Sequence, residues 1–242
     1  MDLAGRVALV TGGGRRIGQA IAVGLARGGC DVAVHYHGST DGATKTATDI
    51  AALGRRAELI AADLRDPAAA RALPDQVAAT FGRLDILINS AAVMVKQSFE
   101  AVTPESWDAT LDLNLRSGFF TAQGAAPHLR RAKGKIVNVA DVAAFEAWPN
   151  YLPHNISKAG VVALTRGLAR VLAPEVTVNA VAPGAVLLPD DWDQATRDHF
   201  ASTTPLGRLG APDDVVNAIL YLLANDYVTG TVLTVDGGRL IR

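Results

Sequence analysis

A short glycine-rich turn near the beginning of the chain limits the possible folds more than any other feature. The apolar run Val7–Val10 stops in glycines, and residues with helical spacing begin at about Arg15. Glycines at such a turn let the backbone bend sharply and let a phosphate group come close. The amides of the new helix would then face that anion. Because the turn opens a β–α–β unit, it predicts a phosphate site; the alternative is a strand-to-helix turn that binds nothing.

Stretches typical of strands and of helices alternate along the whole chain. The predicted strands span residues 7–10, 31–36, 57–62, 84–88, 135–139, 176–181 and 231–235. The predicted helices span residues 17–25, 41–53, 67–80, 104–126, 155–172 and 213–224. Residues 190–204 are polar and irregular, with a short helix as an alternative. Nearly continuous apolar strands separated by helices indicate a parallel sheet covered on both faces. We therefore predict one α/β domain, residues 1–242, with a doubly wound Rossmann-type fold and a seven-stranded parallel sheet.

Composition narrows the classes of function. The formal net charge is −1, so no basic field that would hold nucleic acid is expected. We see no leader sequence and no apolar run near the ~18 residues of a membrane span, so we expect no membrane partner. The single cysteine, Cys30, cannot form an internal disulfide. We predict a packed thiol, no metal site, a small-molecule substrate and a cytoplasmic protein.

Ligands of such a sheet bind beyond the carboxyl ends of the strands, so the residues there indicate the cofactor. After the second strand the chain has Tyr36, His37 and Ser39, with no acidic residue before position 41. A carboxylate at this place would select NAD, whereas cations and small polar groups admit the phosphate of NADP. Arg15 and Arg16 project from the nearby glycine turn, and guanidinium groups suit phosphate. These residues predict NADP(H); the alternative is exposed arginines beside a polar loop.

The residues at the strand ends resemble the short-chain dehydrogenase/reductase family over essentially the whole chain. The matching positions are Thr11-Gly12, Ile17-Gly18, Asp63, Asn89-Ser90-Ala91, Asn114, Lys158 and Pro183-Gly184. Within the family the chain is most similar to the pteridine reductases, which share Arg16, the His-Tyr-His stretch followed by Ser39, and Asp141. The resemblance implies a Rossmann-type sheet and a homotetramer or homodimer. It also implies hydride transfer from NADPH to a small carbonyl or pterin-like C=N substrate.

The resemblance further implies a set of residues that bind the cofactor. They are Gly12, Arg15, Arg16, Ile17, Gly18, Tyr36, His37, Ser39, Asp63, Leu64, Asn89, Ser90, Ala91, Lys158, Pro183 and Gly184. Two interpretations of Asp63 stay open. Its carboxylate accepts a hydrogen bond from the adenine amino group, or it only caps the following turn.

The catalytic set implied by the resemblance contains one departure. The family uses Asn, Ser (Asp in the pteridine reductases), Tyr and Lys, with the last two spaced as Y-x-x-x-K. In this chain Asn114, Asp141 and Lys158 match, and the tyrosine position falls on His154. Residues 154 and 158 are one helical turn apart and share a face. We predict that Asp141 keeps His154 charged enough to act as a general acid.

The departure at His154 leaves two further hypotheses. One is a catalytically impaired NADP-binding protein of the same fold, with a regulatory or binding role. The other is an enzyme whose substrate needs no strong acid, such as a reactive ring C=N. Met94 falls about where the pteridine reductases place an aromatic that stacks on the pterin. The residues that would line a substrate pocket, or else pack as a lid, are Trp148, Tyr151, Leu187 and Trp192.

Overall fold

The structure is a computed structural model that describes residues 1–188 and 192–241. Within these residues, seven strands form one parallel sheet. The strands are β1 Val7–Val10, β2 Asp31–Tyr36, β3 Ala57–Ala61, β4 Ile86–Asn89, β5 Lys135–Val139, β6 Thr177–Pro183 and β7 Val232–Val235. They lie in the order β3-β2-β1-β4-β5-β6-β7, and every adjacent pair is parallel. The predicted doubly wound, seven-stranded sheet is confirmed.

Eight α-helices in the described residues cover the two faces of the sheet. They are α1 Arg16–Arg27, α2 Thr40–Ala52, α3 Pro67–Phe81, α4 Pro104–Leu111, α5 Ser117–Ala132, α6 Leu152–Val171, α7 Gln194–Ser202 and α8 Pro212–Ala224. The side chains of β1 alternate between the faces. Ala8 and Val10 pack with α1, α2 and α8, whereas Val7 and Leu9 pack with α3, α5 and the end of α6. Each face therefore has its own buried core, as expected of a doubly covered parallel sheet.

The predicted helix over residues 104–126 differs from the observed one in length and in regularity. It runs on to Ala132, and a π-helical turn over Asp112–Arg116 separates α4 from α5. A single π turn shifts the helical register by one residue, which the spacing of apolar residues does not reveal. Such turns are frequent at functional sites, and this one contains Asn114.

α6 begins at Leu152 rather than at residue 155, because Pro153 fits the first turn of a helix, where no amide donor is required. In the polar stretch over residues 190–204, the structure has the short helix that the sequence left open, α7, with Asp193 as its N-cap. Residues 189–191, with which that stretch begins, lie outside the described residues.

Cys30 lies just before β2 and is fully buried, as predicted. Burial raises the pKa of its thiol to about 12, so the thiol is neutral and inert. Among residues 1–188 and 192–241, no helix has both the length and the apolar character needed to cross a lipid bilayer. In the same residues, no group of His, Cys, Asp and Glu side chains is arranged to hold a metal ion.

Candidate active site

The glycine turn after β1 is packed so tightly that it excludes side chains. Gly12 has a φ of +66°, and a Cβ atom there would lie 2.9 Å from the Cα atom of Ala91. A Cβ atom on Gly18 would collide with the carbonyl group of Gly12. α1 then begins at Arg16 without a side-chain cap, so the amides of its first turn have no intrahelical partners. The turn therefore offers the close backbone approach and the amide donors that a phosphate group requires.

A buried histidine supports this turn from the end of β2. The amide of Gly12 donates to Nδ1 of His35 (3.1 Å), and Nε2 of His35 donates to the carbonyl of Ala62 (3.0 Å). His35 is 2% exposed, and burial lowers its pKa to about 4, so the ring is neutral near pH 7. Both ring nitrogens are therefore used within the protein. This supporting role was not predicted, although the place of His35 inside an apolar strand indicated that it is buried.

The two arginines of the turn differ in their contacts. Arg16 has a φ of +53°, in the left-handed region that favours glycine. Its guanidinium group donates to the carbonyl of Leu187 (2.5 Å). Arg15 is exposed at the N-cap position of α1, and His37 is exposed just after Tyr36 ends β2. The cationic and polar groups that the sequence predicts for a phosphate group thus follow β1 and β2, which are adjacent strands.

Several residues of the predicted cofactor set are engaged by the protein itself. The carboxylate of Asp63 accepts hydrogen bonds from the amide and the guanidinium group of Arg65, which lower its pKa to about 2. This arrangement corresponds to the turn-capping interpretation of Asp63. The side chain of Leu64 is buried in the core, so only its backbone is left for a ligand. Asn89 donates to Oδ1 of Asn138 (2.9 Å).

Thr11 ties the glycine turn to the end of β4. Its hydroxyl oxygen accepts from the amides of Ser90 (2.9 Å) and Ala91 (3.1 Å) and donates to the carbonyl of Ile88 (3.3 Å). Gly12, Ser90 and Ala91, which are predicted to bind the cofactor, are therefore neighbours in the fold. The remaining predicted positions, Ile17, Ser39, Pro183 and Gly184, lie in the first turn of α1, at the N-cap of α2 and at the end of β6.

The π-helical turn places Asn114 at the centre of a buried hydrogen-bond cluster. Its Oδ1 accepts from the amide of Val93 (2.8 Å). Its Nδ2 donates to the carbonyl of Val93 (2.9 Å) and to Oγ of Ser157 (3.0 Å). Asn114 therefore holds the loop after β4 against α6. Ser157 was not predicted as part of the site, and the contacts of Val93 were not predicted, because a backbone carbonyl carries no sequence signal.

Asp141 and His154 lie close to each other, as the predicted pair requires. Oδ2 of Asp141 is 3.6 Å from Nε2 of His154, and Oδ1 accepts from the amide of Ala143 (2.8 Å). Nδ1 of His154 is 3.1 Å from the carbonyl oxygen of Val93. Nε2 is buried and, among the described residues, has no hydrogen-bond partner. A buried polar atom without a partner costs stability, and this one lies next to the Asp141 carboxylate.

Lys158 lies beside this pair, one turn further along α6. Its Nζ donates to the carbonyl of Val139 at the end of β5 (2.8 Å), and the residue is 4% exposed. Burial lowers the pKa of the ammonium group to about 8, against the opposing effect of the Asp141 charge. An ammonium group has three donors. Val139 is its one hydrogen-bond acceptor among the described residues, so two donors are left for a ligand.

An ion pair from the end of the chain braces the loop that follows β5. Arg239 donates from Nε (3.0 Å) and Nη2 (3.1 Å) to the carboxylate of Glu146, which also accepts from Nε1 of Trp148 (2.5 Å). The carbonyl of Glu146 accepts from Nδ2 of Asn155 (2.9 Å), the neighbour of His154. This brace was not predicted, because its two charged residues are 93 positions apart.

The aromatic residues predicted to line a pocket or form a lid pack on one another. Trp148 and Tyr151 meet edge to face with ring centroids 6.0 Å apart, and Trp192 lies 5.0 Å from Phe200. The guanidinium group of Arg239 lies 5.7 Å from the ring centroid of Trp148 and 5.4 Å from that of Phe200. These contacts favour the lid interpretation for Trp148, Tyr151 and Trp192.

Known proteins are similar to this chain over nearly its whole length. Residues 13–239 match the protein family described as Enoyl-(Acyl carrier protein) reductase. The 2-dehydro-3-deoxy-D-gluconate 5-dehydrogenase of Escherichia coli is 36% identical over 252 residues, which cover 100% of this chain and 98% of that protein. A short-chain dehydrogenase/reductase of Serratia marcescens, solved as a double mutant, is similar with a TM-score of 0.92 and 35% identity, covering 99% of this chain and 100% of that chain. A blue fluorescent protein from a metagenomic library, solved in complex with NADPH, has a TM-score of 0.91 and 33% identity, covering 99% of both chains.

Proposed function

The chain belongs to the short-chain dehydrogenase/reductase family, and from that membership we propose that it is an NADP(H)-dependent oxidoreductase. Its substrate is a small carbonyl compound or a pterin-like ring with a reactive C=N bond. One observation carries the proposal. At the carboxyl end of β5, the side chains of Lys158, Asp141 and His154 lie together, and hydrogen-bonding positions on Lys158 and His154 are unused within the described residues.

The residues around the glycine turn fit a coenzyme that carries a pyrophosphate group. A side chain at Gly12 is excluded, and α1 begins without a cap. The exposed Arg15 and His37 support NADP(H) over NAD(H), because no carboxylate lies between the end of β2 and Asp41 that would bind free ribose hydroxyls. When bound, the coenzyme supplies the hydride for the carbon atom that is reduced. Lys158 would hold the nicotinamide ribose through the donors that Val139 leaves unused.

The proton that completes the reduction comes from the Asp141–His154 pair in this proposal. The two groups are 3.6 Å apart, within the range in which a carboxylate stabilises an imidazolium ion. Asn114 acts indirectly, because it fixes Val93, whose carbonyl orients the His154 ring. A positioned acid of this kind contributes about 10²- to 10⁴-fold to the rate.

A turnover assay on the purified protein tests the proposal. The absorbance of reduced nicotinamide is followed with NADPH or NADH and a panel of small ketones, keto acids, 3-oxoacyl thioesters and dihydropterins. We expect NADPH to be consumed with at least one member of the panel, and faster than NADH. Lys158→Met abolishes this consumption, and Lys135→Met, which removes a buried lysine at the other end of β5, retains it. Absence of both NADPH binding and turnover would contradict the proposal.

A second candidate function is that of a catalytically impaired NADP-binding protein with a regulatory or binding role. The observation that favours it is the burial of Nε2 of His154, at the position where the family resemblance implies a tyrosine. The variant His154→Tyr separates the two candidates. If the site is impaired, the wild-type protein binds NADPH without turnover and the variant gains activity. A wild-type protein that turns over faster than the variant excludes the impaired function.

The panel also separates the two substrate classes. Met94 is 48% exposed on the loop after β4, and a thioether packs favourably against a flat ring. A pterin-like substrate therefore stays within the proposal. Turnover of ketones together with none of dihydropterins would restrict the substrate to the carbonyl class.

We also propose that the protein forms a homotetramer or homodimer and that it is located in the cytoplasm. Trp107 on α4, Phe119 on α5 and Tyr221 on α8 are 36%, 44% and 54% exposed, and contact between copies would remove such surfaces from water. The lone buried thiol of Cys30 is compatible with a reducing compartment. Light scattering on the purified protein measures its mass in solution, and a monomer would contradict the proposed assembly.

A further inference from the structure

The hydrogen atom on the His154 ring can be placed by counting donors. Nδ2 of Asn114 has two hydrogen atoms, and it uses them on the Val93 carbonyl (2.9 Å) and on Oγ of Ser157 (3.0 Å). It also lies 3.4 Å from Nδ1 of His154, but no third hydrogen is left for that contact. The Val93 carbonyl, 3.1 Å from Nδ1, can only accept. Nδ1 of His154 therefore carries a hydrogen and donates it to Val93.

The other ring nitrogen is turned toward Asp141 and closed off from solvent. Nε2 of His154 is buried, and Oδ2 of Asp141 lies 3.6 Å from it. The side chain of His154 is 4% exposed, and that of Asp141 is 25% exposed. Because Oδ1 of Asp141 is held by the amide of Ala143, Oδ2 is the oxygen left to exchange a proton. Of the two groups, the carboxyl group is the one that an incoming substrate can touch.

We infer that the carboxyl group of Asp141, and not the imidazole, exchanges the proton with the substrate oxygen. His154 exchanges protons only with Asp141: it gives the proton to Asp141 during reduction and takes it back during oxidation. This reverses the order predicted from the sequence, in which His154 is the acid and Asp141 its support. The inference rests on the proposed oxidoreductase function. The charged group that faces the pair from one turn further along α6 is the ammonium of Lys158, whose pKa the Asp141 charge raises against the larger effect of burial.

In this arrangement every proton that is transferred is accounted for. In reduction, the substrate carbon takes the hydride of the reduced coenzyme as the C=O π bond breaks. Nε2 of the imidazolium passes its proton to Oδ2 of the Asp141 carboxylate, and the neutral ring keeps its hydrogen on Nδ1. The substrate oxygen takes this proton from Oδ2, so the O–H bond of the alcohol forms as that of the carboxyl group breaks and Asp141 returns to the carboxylate. Water returns one proton to the pair after the alcohol leaves, and oxidation of an alcohol reverses each step.

Kinetics of two matched variants test which group meets the substrate. Asp141→Asn keeps an oxygen for the Ala143 amide but carries no exchangeable acid proton, so we expect kcat to fall at least about 100-fold with little change in KM. His154→Gln leaves the carboxyl group able to exchange with water, so we expect a loss of about tenfold and a changed pH profile of kcat. A loss in His154→Gln that equals or exceeds the loss in Asp141→Asn overturns the inference. Melting curves establish that both variants are folded.

Chemical labelling tests the same order without turnover. Diethyl pyrocarbonate acylates accessible imidazole nitrogens, and peptide mapping reports each histidine. In the wild-type protein we expect rapid labelling of the exposed His37 and His199 and protection of His35 and His154. In Asp141→Ala, His154 becomes labelled and His35 stays protected. Labelling of wild-type His154 as fast as His199, or continued protection in Asp141→Ala, overturns the inference.

The tautomer is measurable by two-bond ¹H–¹⁵N correlation of the imidazole rings, with His154→Gln used to assign the signal. We expect neutral His154 to carry its hydrogen on Nδ1, and a hydrogen on Nε2 would overturn the donor count. If no coenzyme binds and no substrate turns over, the proposed function fails. The labelling and the tautomer still report on the order of the two groups, so the two failures are distinguishable.

Discussion

Two buried lysines lie at opposite ends of β5, and the protein provides them with different hydrogen-bond and ion-pair partners. Lys135 begins the strand, is 3% exposed, and donates to the carbonyl of Asn225 (2.5 Å) and the carboxylate of Asp226 (2.6 Å). Lys158 lies against the other end, is 4% exposed, and donates to the carbonyl of Val139 (2.8 Å). Residue type and burial are the same, so the partners make the difference. The charge at the amino end is paired, whereas the charge at the carboxyl end keeps donors for a ligand.

Two buried histidines repeat this contrast. His35 uses both ring nitrogens, on Gly12 and Ala62, whereas His154 uses one, on Val93. Leaving a buried polar atom unpaired costs roughly 1–3 kcal/mol, so a fold keeps such an atom only where something offsets the cost. Among these four side chains, Lys135 and His35 are paired within the protein, whereas Lys158 and His154 keep unused hydrogen-bonding positions that we propose serve the reaction.

The largest expected effect comes from removing each lysine in turn. Lys158→Met should lower kcat/KM at least about 1,000-fold, because it removes the buried cation at the site, with a small change in melting temperature. Lys135→Met should keep activity within about threefold and lower the free energy of unfolding by about 1–3 kcal/mol, because the Asn225 carbonyl and Asp226 lose their partner. Steady-state kinetics and denaturant unfolding of both variants provide the comparison.

The predicted difference between the two lysines is contradicted if both variants lose activity equally, or if Lys158→Met is the less stable of the two. Either result would mean that Lys158 is a structural residue like Lys135, and that the unused donors at the carboxyl end of β5 have no role in the reaction.

The second effect is a pH dependence that belongs to Lys158. Burial lowers its pKa to about 8, so the ammonium group loses its proton as the pH rises through that value. We expect kcat/KM for reduction to fall about tenfold per pH unit above pH ~8, as expected for loss of one proton. Lys158→Arg should be less active but should lack this decline, because a guanidinium group stays charged. A decline that persists unchanged in Lys158→Arg would belong to another group.

Stability should depend on pH in the opposite direction. The folded pKa of Lys158, about 8, lies below its ordinary value of 10.5, so the unfolded chain binds more protons between these values. The free energy of unfolding contributed by this residue therefore rises as the pH increases from about 8 to about 10.5. Denaturant unfolding across this range, with Lys158→Met as the reference, measures the contribution. A contribution that falls with pH would contradict the burial of the charge.

The third effect tests the satisfied histidine. His35→Leu leaves the Gly12 amide and the Ala62 carbonyl unpaired, so we expect a loss of about 2 kcal/mol in stability and about tenfold weaker NADPH binding. His35→Asn keeps an acceptor for Gly12 and should retain more of both. Calorimetric titration and denaturant unfolding measure the two properties. If His35→Leu binds NADPH as well as His35→Asn does, the histidine does not support the turn.

His35 also predicts a loss of stability in acid. Its folded pKa of about 4 lies below the ordinary value of 6.5, so its contribution is complete above pH ~6.5 and is lost as the pH falls toward ~4. The difference corresponds to about 3 kcal/mol. This part of the loss of stability in acid should be missing in His35→Asn. If the free energy of unfolding of the variant depends on pH in the same way as that of the wild type, the loss belongs to a group other than His35.

The smallest effect concerns the brace between Glu146 and Arg239. Arg239→Gln should raise KM about threefold to tenfold and leave kcat nearly unchanged, because it loosens the loop after β5 without touching Asp141. Arg208→Gln, which removes a more exposed pair with Asp214, is the matched control and should change neither. A drop in kcat with constant KM would place Arg239 in the chemistry instead.

The sequence predicted the sheet well because the signal for buried strands is local. β1, β2 and β5 have the predicted bounds, and the apolar runs that define them need no knowledge of distant residues. The sequence predicted which residues form the candidate site but not which hydrogen bonds they make. The bond from His35 to Gly12 and the bond from Nδ1 of His154 to Val93 join residues 23 and 61 positions apart, and only folding reveals them.

Asp63 shows the limit of local patterns. Its two interpretations could not be separated by its place after β3, although Arg65, two residues on, was visible in the sequence. Only the structure shows that the guanidinium group returns to the Asp63 carboxylate. The sequence predicts His154 as the acid and Asp141 as its support, and we infer the reverse order from the exposure of the two side chains. That exposure depends on packing, which the spacing of residues does not encode.

One titration tests most directly whether the unused donors at the carboxyl end of β5 serve a coenzyme. Calorimetry of the purified wild-type protein with NADPH and NADH should show one site per chain and tighter binding of NADPH. Binding of NADPH should weaken at least about tenfold in Lys158→Met, the loss of one or more hydrogen bonds to a charged donor, and stay unchanged in Lys135→Met. Uptake of neither nucleotide, or equal binding by all three proteins, would contradict the account.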